Sequence, residues 1–439
     1  MTKRYDTDVV IIGGGAVGIC SAFYLRQRGF KVTVVDRDRV CGACSAANGG
    51  LIVPSYSIPL SSPGKIAKGL KWMLHPESPF SIKPRLDPAL LRWMMLFQRA
   101  SRPYRCRAGI PVLRDLNLGG LLQFQALQAG LPLDLELSHQ GFLEVFRTRH
   151  GYEEGVEDAR LLEGFGIIPE IVGSEAVAEM TGGRPTRAVG GIFYPQDAHI
   201  DPRRFVEQLA THVRGMGVEI RESTMVTGFR ISGSRIRAVE TDRGGISARH
   251  FVLAGGAWSP GIVTGLKIDL PMQPAKGYSV TFVRTDACPV IPVGLSEAKT
   301  VLTPLGERFR VAGTLEFAGF DESWGRRRVL SVVRSMCDYF PDIDPSAMAV
   351  EEIWQGFRPC SPDGLPYLGH TDAYDNLIVA AGHGMLGVTQ APISGLMAAQ
   401  LAAGERPELN LTPLHPDRFR GLGLFSGAAG RPGTRRMES

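Results

Sequence analysis

Two glycine-rich turns stand near opposite ends of this 439-residue chain, and an arginine precedes the second. The first turn is Gly13-Gly14-Gly15-Ala16-Val17-Gly18, a GxGxxG pattern. It follows Thr7–Ile12, a short apolar run rich in β-branched residues that reads as a buried strand. It opens the helical pattern Ala16–Arg28, which stops at Gly29. In that setting Gly13 allows a tight turn, Gly15 lets a pyrophosphate approach the backbone, and Gly18 lets helix and strand pack closely. The helix N-terminus then offers free N–H groups and positive partial charge to phosphates. Asp36, with Arg37 after it, ends a second strand, Lys31–Val35, where its carboxylate can accept both hydroxyls of a ribose. The chemistry these residues support is dinucleotide binding.

The pattern alone does not choose between dinucleotides, but distant segments do. His250–Trp258 is an apolar strand running into small residues, a turn that lets backbone come close to a cofactor. Gly382-His383-Gly384-Met385-Leu386-Gly387 is a second glycine-rich strand-to-helix turn. Its helix N-terminus can stabilise negative charge on the pyrimidine edge of a flavin. A nicotinamide dinucleotide needs no such element at the far end of the chain, so the expected cofactor is FAD. Gly356-Phe357-Arg358-Pro359 carries the candidate substrate anchor. Pro359 disfavours helix at Arg358 and puts it on an extended segment or turn. A guanidinium there can grip a carboxylate through two parallel hydrogen bonds. Tyr278 either adds a hydroxyl to the same carboxylate, covers the site, or is a satisfied core tyrosine. His383 reads either as a base or as a loop histidine fixed by backbone hydrogen bonds.

The elements that must hold these groups divide the chain. The βαβ opening argues for a parallel sheet wrapped by helices. Arg105–Gly130 reads as a long helix, Gln140–Thr148 as a strand, and Val156–Phe165, Ser174–Met180 and Pro202–Gly215 as helices. Val218–Arg221, Thr224–Ser232, Arg235–Thr241 and His250–Ala254 read as strands. Gly277–Arg284, Lys299–Pro304 and Arg308–Glu316 read as antiparallel strands, and Asn376–Ala381 as the last strand before a final helix. The predicted class is α/β, with a discontinuous dinucleotide-binding domain enclosing a second, α+β domain. The tail after Leu411 is rich in Gly, Arg and Pro and is expected to fray.

The balance of 49 basic against 44 acidic residues, a net +5, is too small for a nucleic-acid footprint. It suits an anionic substrate or membrane surface. Seven scattered cysteines favour free thiols in a reducing compartment. Cys41-Gly42-Ala43-Cys44 is a lone CxxC with no second pair or nearby histidine, so no metal site is expected; a redox pair is the weaker alternative. The polar start, Met1 to Asp8, carries no signal-peptide pattern, and no apolar run reaches the ~18–20 residues of a membrane helix. Lys65–Pro76 and Leu90–Arg107 mix Trp, Met, Leu and Phe with Lys and Arg. Either they dock on an anionic membrane, or they are core-facing helices with a solvated basic edge. The expected location is cytoplasmic, or peripheral on the inner face of the cytoplasmic membrane.

These motifs together resemble the D-amino-acid oxidase superfamily of flavoproteins, and within it the bacterial D-amino-acid dehydrogenases. The resemblance runs over Thr7–Arg92, Gly190–Ser279 and Trp354–Gly404. It is carried by Gly13–Gly18 with Asp36, Cys44–Gly50, Lys276-Gly277-Tyr278-Ser279, Gly356–Pro359 with Pro362-Asp363-Gly364, and Gly382-His383-Gly384. It implies a Rossmann-type FAD-binding domain from residues 1–85, 190–270 and 350–425. A substrate domain on an antiparallel sheet would take 86–189 and 271–349, with 426–439 as a flexible tail. Ser45, Ala46, Ala47, Asn48, Gly50 and Leu51 would lie along flavin and pyrophosphate. Val226 would meet the adenine side through its backbone. Ala254, Gly255, Gly384, Leu386, Gly387, Val388 and Thr389 would line the cofactor.

The resemblance further implies that Arg358 takes the carboxylate of a small amino-acid substrate, with no side-chain base. An imino acid then hydrolyses to a 2-oxo acid and ammonia, and electrons pass to quinone or another carrier. Relatives attach flavin through a histidine where Ser45 and Ala46 stand, or through a cysteine several residues before the Pro-Asp pair. Cys360 lies only two before Pro362, so noncovalent FAD is expected. Met385 stands where glycine oxidases tend to carry a second arginine, which suits an apolar or ring-bearing substrate. The rival readings are a dehydrogenase of D-proline, D-hydroxyproline or sarcosine, an oxygen-using oxidase, and a structural flavin-binding subunit.

Overall fold

The computed structural model describes residues 5–62, 80–266 and 268–422. The expectations for Lys65–Pro76 and for the tail 426–439 fall outside the described residues. In chain order, the elements that build the site are β1 (Val9–Ile12), α1 (Ala16–Gln27), β2 (Val32–Val35), α2 (Pro88–Ala100) and α3 (Pro103–Gly130). They continue with β3 (His250–Leu253), β4 (Gln273–Val283), β5 (Arg308–Phe317), β6 (Val350–Cys360), β7 (Leu377–Ala381) and α4 (Gly387–Ala402).

A six-stranded sheet gathers three distant stretches of chain. Its order is Tyr367–His370, β7, β3, β1, β2, Glu219–Arg221, parallel except for Tyr367–His370. Every residue of β1, β2 and β7 is buried, as a sheet covered on both faces demands. Alternation decides which face each serves. Val9, Ile11 and Val34 pack with Ile19 and Phe23 of α1, Phe205 and Leu209 of helix Pro202–Gly215, and Ile393 and Met397 of α4. Val10, Ile12 and Val35 face Ile236, Val239 and Ile246 of a three-stranded antiparallel layer on the other side.

A nine-stranded sheet forms the second half. Its order is β6, β4, β5, Thr300–Leu305, Val293–Leu295, Phe142–Phe146, Gly190–Tyr194, Glu170–Gly173, with Phe80–Ile82 added parallel to β5. Three of its strands come from stretches expected in the dinucleotide-binding pieces. β6, Gly190–Tyr194 and Phe80–Ile82 were assigned to the dinucleotide-binding pieces, yet their backbones hydrogen-bond into the larger sheet. β6 pairs antiparallel with β4 from Cys360↔Gln273 to Val350↔Phe282, and buried backbone groups in such a ladder have no other partners.

Two helices also depart from expectation. The helix expected at Val156–Phe165 begins at Arg149, because the Thr148 hydroxyl caps it by accepting from the Gly151 N–H at 3.1 Å. Arg326–Tyr339, absent from the sequence reading, is a helix that buries Val332, Ser335, Met336 and Tyr339 along one stripe. α2 is core-facing, as one of the two readings of Leu90–Arg107 had it. Asp87 caps it, Leu90, Trp93 and Leu96 are buried, and the Trp93 indole donates to the Cys360 carbonyl at 2.9 Å. Leu91 and Met94 stay exposed.

Candidate active site

The GxGxxG glycines have three different surroundings. Gly13 has φ +114°, and a Cβ there would stand 2.4 Å from the Ala254 carbonyl oxygen. A Cβ on Gly18 would stand 1.9 Å from the Gly13 carbonyl oxygen, so α1 sits directly on the turn. Gly15 meets nothing nearer than Ser45 Oγ at 3.4 Å, which leaves an open approach to the helix start. Asp36 Oδ2 accepts from the Gly14 N–H at 2.6 Å and Oδ1 from the Asp38 N–H at 2.8 Å, while burial pushes its carboxyl above the usual range. Arg37 lies over the Trp258 ring at 4.1 Å.

From this turn a cavity of about 1530 Å³ runs past 45–51 to the end of β6 and the turn after β7. Gly13, Gly15, Ala16 and Val17 line it, with Asp36 and Arg37. Ser45, Ala47, Asn48 and Leu51 line its middle, and Val226, Ala254 and Gly255 close one wall. Gly384, Leu386, Gly387, Val388 and Thr389 form the far end beside Arg358, His383 and Met385. Gly18, Ala46 and Gly50 do not line the cavity; they support it from behind. Ala46 is buried, with its carbonyl accepting from Arg310, and Gly50 has φ +76° with its N–H on Asn48 Oδ1.

The stretch 45–51 is held by Thr389 and by two groups the sequence reading missed, Arg310 and Thr303. Arg310 of β5 is buried and donates to the carbonyls of Asn48, at 2.8 Å, and Ala46, and to Thr281 Oγ1. Thr303 donates to the Gly49 carbonyl at 2.6 Å and Thr389 to the Leu51 carbonyl at 2.9 Å. A charged residue inside an apolar strand is a signal that a partner exists, but nothing local names a partner more than 250 positions away.

The turn after β7 docks on the end of β6. The Gly384 N–H donates to the Pro359 carbonyl at 2.9 Å, and Cys360 and His383 form a backbone bridge. His383 Nε2 lies 2.9 Å from Ser394 Oγ, and burial pushes its pKa down to about 4. The loop-histidine reading therefore fits, with a correction: a side-chain hydroxyl of α4 holds the ring, not the backbone. Met385 is 44% exposed at the cavity rim.

Arg358 lines the cavity without a counter-charge among the described residues. Its Nη1 donates to the Thr314 carbonyl at 2.7 Å, and among the described residues no carboxylate pairs with it. Burial lowers its pKa, opposed by nearby Cys44 and Cys360, yet a guanidinium stays charged. A partly desolvated cation facing a cavity without a counter-ion is a receptor for an anion. Cys44 itself donates to the Phe357 carbonyl at 2.7 Å, and Cys41 is a buried free thiol.

Tyr278 is corrected. Side chains alternate along β4, so Tyr278 and Lys276 point away from the face that carries Arg358, and Tyr278 does not line the cavity. Its ring meets Trp324 at 6.5 Å and the Lys276 ammonium at 5.8 Å. It is a buried core tyrosine, not a substrate contact.

The cavity suits a dinucleotide with a flavin head. Neither N-cap residue, Gly15 of α1 or Leu386 of α4, caps its helix through a side chain; Ser45 Oγ takes the Ala16 N–H at 3.1 Å, and both helix starts face the cavity. Helix N-termini leave N–H groups for an anionic ligand. Residues 8–401 match the family described as FAD dependent oxidoreductase.

The chain belongs to that family.

Among its relatives is a D-amino acid dehydrogenase of Methylobacterium nodulans, 36% identical over 425 residues, covering 94% of this chain and 99% of that one. A D-amino acid dehydrogenase of Agrobacterium fabrum is 34% identical over 423 residues, with 94% and 99% covered. Among solved structures, glycine oxidase from Geobacillus kaustophilus superposes with a TM-score of 0.77 at 21% identity, over 94% of this chain and 99% of that one. L-proline dehydrogenase from P. horikoshii gives 0.72 at 20% identity, over 96% and 100%. These family members share the fold, and the protein is an FAD-dependent oxidoreductase like them.

Proposed function

We propose that this protein is a D-amino-acid dehydrogenase that binds FAD noncovalently. The single observation that carries the reading is Arg358: a half-buried guanidinium with no carboxylate partner among the described residues, in the same cavity as the two helix starts. The relatives named above support the substrate class. FAD bound there supplies the acceptor for a hydride from the substrate α carbon. The chain's own groups bind and orient. Arg358 takes the carboxylate, and the Thr314 carbonyl keeps one end of its fork from turning. Orientation of the α carbon is then the main catalytic effect. His383 is held by Ser394 at low proton affinity and does not serve as base, so the amine enters neutral. The imino acid product hydrolyses to a 2-oxo acid and ammonia in water.

Met385 at the rim presents an apolar surface to the side chain of the substrate, favouring hydrophobic D-amino acids. Electrons pass on to quinone or another carrier. Among the described residues no helix is long and apolar enough to cross a membrane, while Leu86, Leu91 and Met94 at α2 give a face for peripheral contact with one.

The test is anaerobic titration of the flavin-loaded protein with D- and L-amino acids. D-amino acids bleach the flavin and L-amino acids do not. Arg358→Ala lowers kcat/KM by roughly 100-fold, the scale of a desolvated bidentate contact. Bleaching by N-methyl or cyclic amines alone would move the assignment to secondary amines. Full turnover by Arg358→Ala would end it.

A further inference from the structure

Arg358 can hold a carboxylate in a useful pose only if its guanidinium stays at one place and one angle. Two features of the neighbouring strands fix it. In the β4–β6 pair Ala275 stands opposite Arg358 and Gly277 opposite Gly356, so positions 275, 277, 356 and 358 share one face. A Cβ on Gly277 would stand 1.9 Å from Nη1, 2.5 Å from Cζ and 2.6 Å from Nη2 of Arg358. The guanidinium lies across the glycine, in the space a side chain would fill.

The second feature sits at the same point on the other side of β4. Lys276 pairs with Glu316 and Tyr278 with Gly313, so Thr314 and Leu315 of β5 together stand opposite Gly277. Thr314 has φ +66°, a costly conformation for a β-branched residue. On the far edge of β5, Thr300 pairs with Gly313 and Phe80 with Leu315, so Thr314 falls between two neighbouring strands. Its carbonyl is left over from the ladder and accepts from Arg358 Nη1 at 2.7 Å.

We propose that Gly277, with the bulged Thr314 carbonyl across from it, is the positioning element that sets Arg358 and thereby the preference of the site for a carboxylate. The proposal rests on the reading that Arg358 binds the substrate carboxylate. Gly277 does not line the cavity; it acts through Arg358. Simple close packing of strands does not account for it, because the group that fills the space is the far end of a flexible side chain. Its φ is not in the left-handed region, so alanine there meets no backbone strain and removes the entropy cost of a glycine in a strand.

The experiment uses flavin-loaded Gly277→Ala with the best D-amino acid of the panel and with the amide of that amino acid. The thermal midpoint holds or rises and the flavin spectrum is retained. kcat/KM for the acid falls by about tenfold or more, in KM rather than kcat, the scale of a displaced substrate clamp. The acid-over-amide preference narrows by the same factor, and adding Gly277→Ala to Arg358→Ala changes nothing further. An unchanged KM and unchanged acid-over-amide preference overturn the proposal, as does an equal loss in the Arg358→Ala background. If Arg358→Ala itself keeps the preference, the substrate reading fails instead. Should Gly277→Ala fold poorly, Thr314→Pro, which cannot hold a positive φ, must raise KM with flavin retained; an unchanged KM there also overturns the proposal.

Discussion

Burial lowers the pKa of both His383 and Arg358, but only the imidazole loses its charge, and each outcome is a measurable property of one residue. The imidazole escapes its desolvation cost by staying neutral, with its pKa pushed down to about 4, and by sharing a hydrogen bond with Ser394. The guanidinium cannot lose its proton and waits for an anion. For His383 the unfolded chain binds a proton below about pH 6.5 while the folded chain refuses it until about pH 4. Its contribution to stability is therefore complete above pH 6.5 and drains away as pH falls toward 4. His199, also pushed down to about 4 by burial, acts in the same direction. The expected outcome is a thermal midpoint that drops across that window, and a shallower drop in His383→Gln. The pH profile of kcat/KM keeps its shape in the same variant. A lost limb in that profile would make His383 a working base.

At the scale of elements, the turn between β1 and α1 works because helix and turn are in van der Waals contact. Gly18→Ala places a methyl 1.9 Å from the Gly13 carbonyl, and α1 must move off the turn to take it. FAD affinity should fall by about 10- to 100-fold, the scale of one to three lost or lengthened phosphate hydrogen bonds, with circular dichroism of the apoprotein little changed. Flavin-fluorescence titration reads this, and an unaltered Kd would show that the glycine serves packing alone. This turn was legible in the sequence because strand, turn and helix are adjacent and each glycine answers a local demand. Arg358 was legible for a related reason: Pro359 fixes its backbone as extended. The ladder of β6 with β4 was not legible, since register between strands about 75 positions apart depends on the sheet and not on either strand. Tyr278 was misjudged for the same reason. Only the register says which face of β4 looks at the cavity, and a one-residue slip exchanges the faces.

For the whole molecule, the cavity lies where a mostly parallel sheet built from three pieces meets a larger, mostly antiparallel one, and 45–51 joins them. That stretch crosses the cavity wall and is tied by Arg310 and Thr303 from the larger sheet and by Thr389 from α4. Arg310 is 1% exposed, and burial pushes its pKa down to about 10, so it remains charged at neutral pH while giving hydrogen bonds to two carbonyls and a hydroxyl. Arg310→Met fills much of the same volume and leaves those acceptors without a donor, a cost of roughly 2–4 kcal/mol. Because the orphaned carbonyls belong to the stretch along the cofactor cavity, the loss reaches ligand binding too. Saturating FAD stabilises the native state by mass action. The gain in thermal midpoint on adding FAD should therefore be smaller in Arg310→Met than in the parent at the same FAD concentration. A variant that is less stable but gains as much from FAD as the parent would reduce Arg310 to a fold-stabilising residue. A variant that loses both would mean that the larger sheet shapes the cofactor site as well as the substrate end.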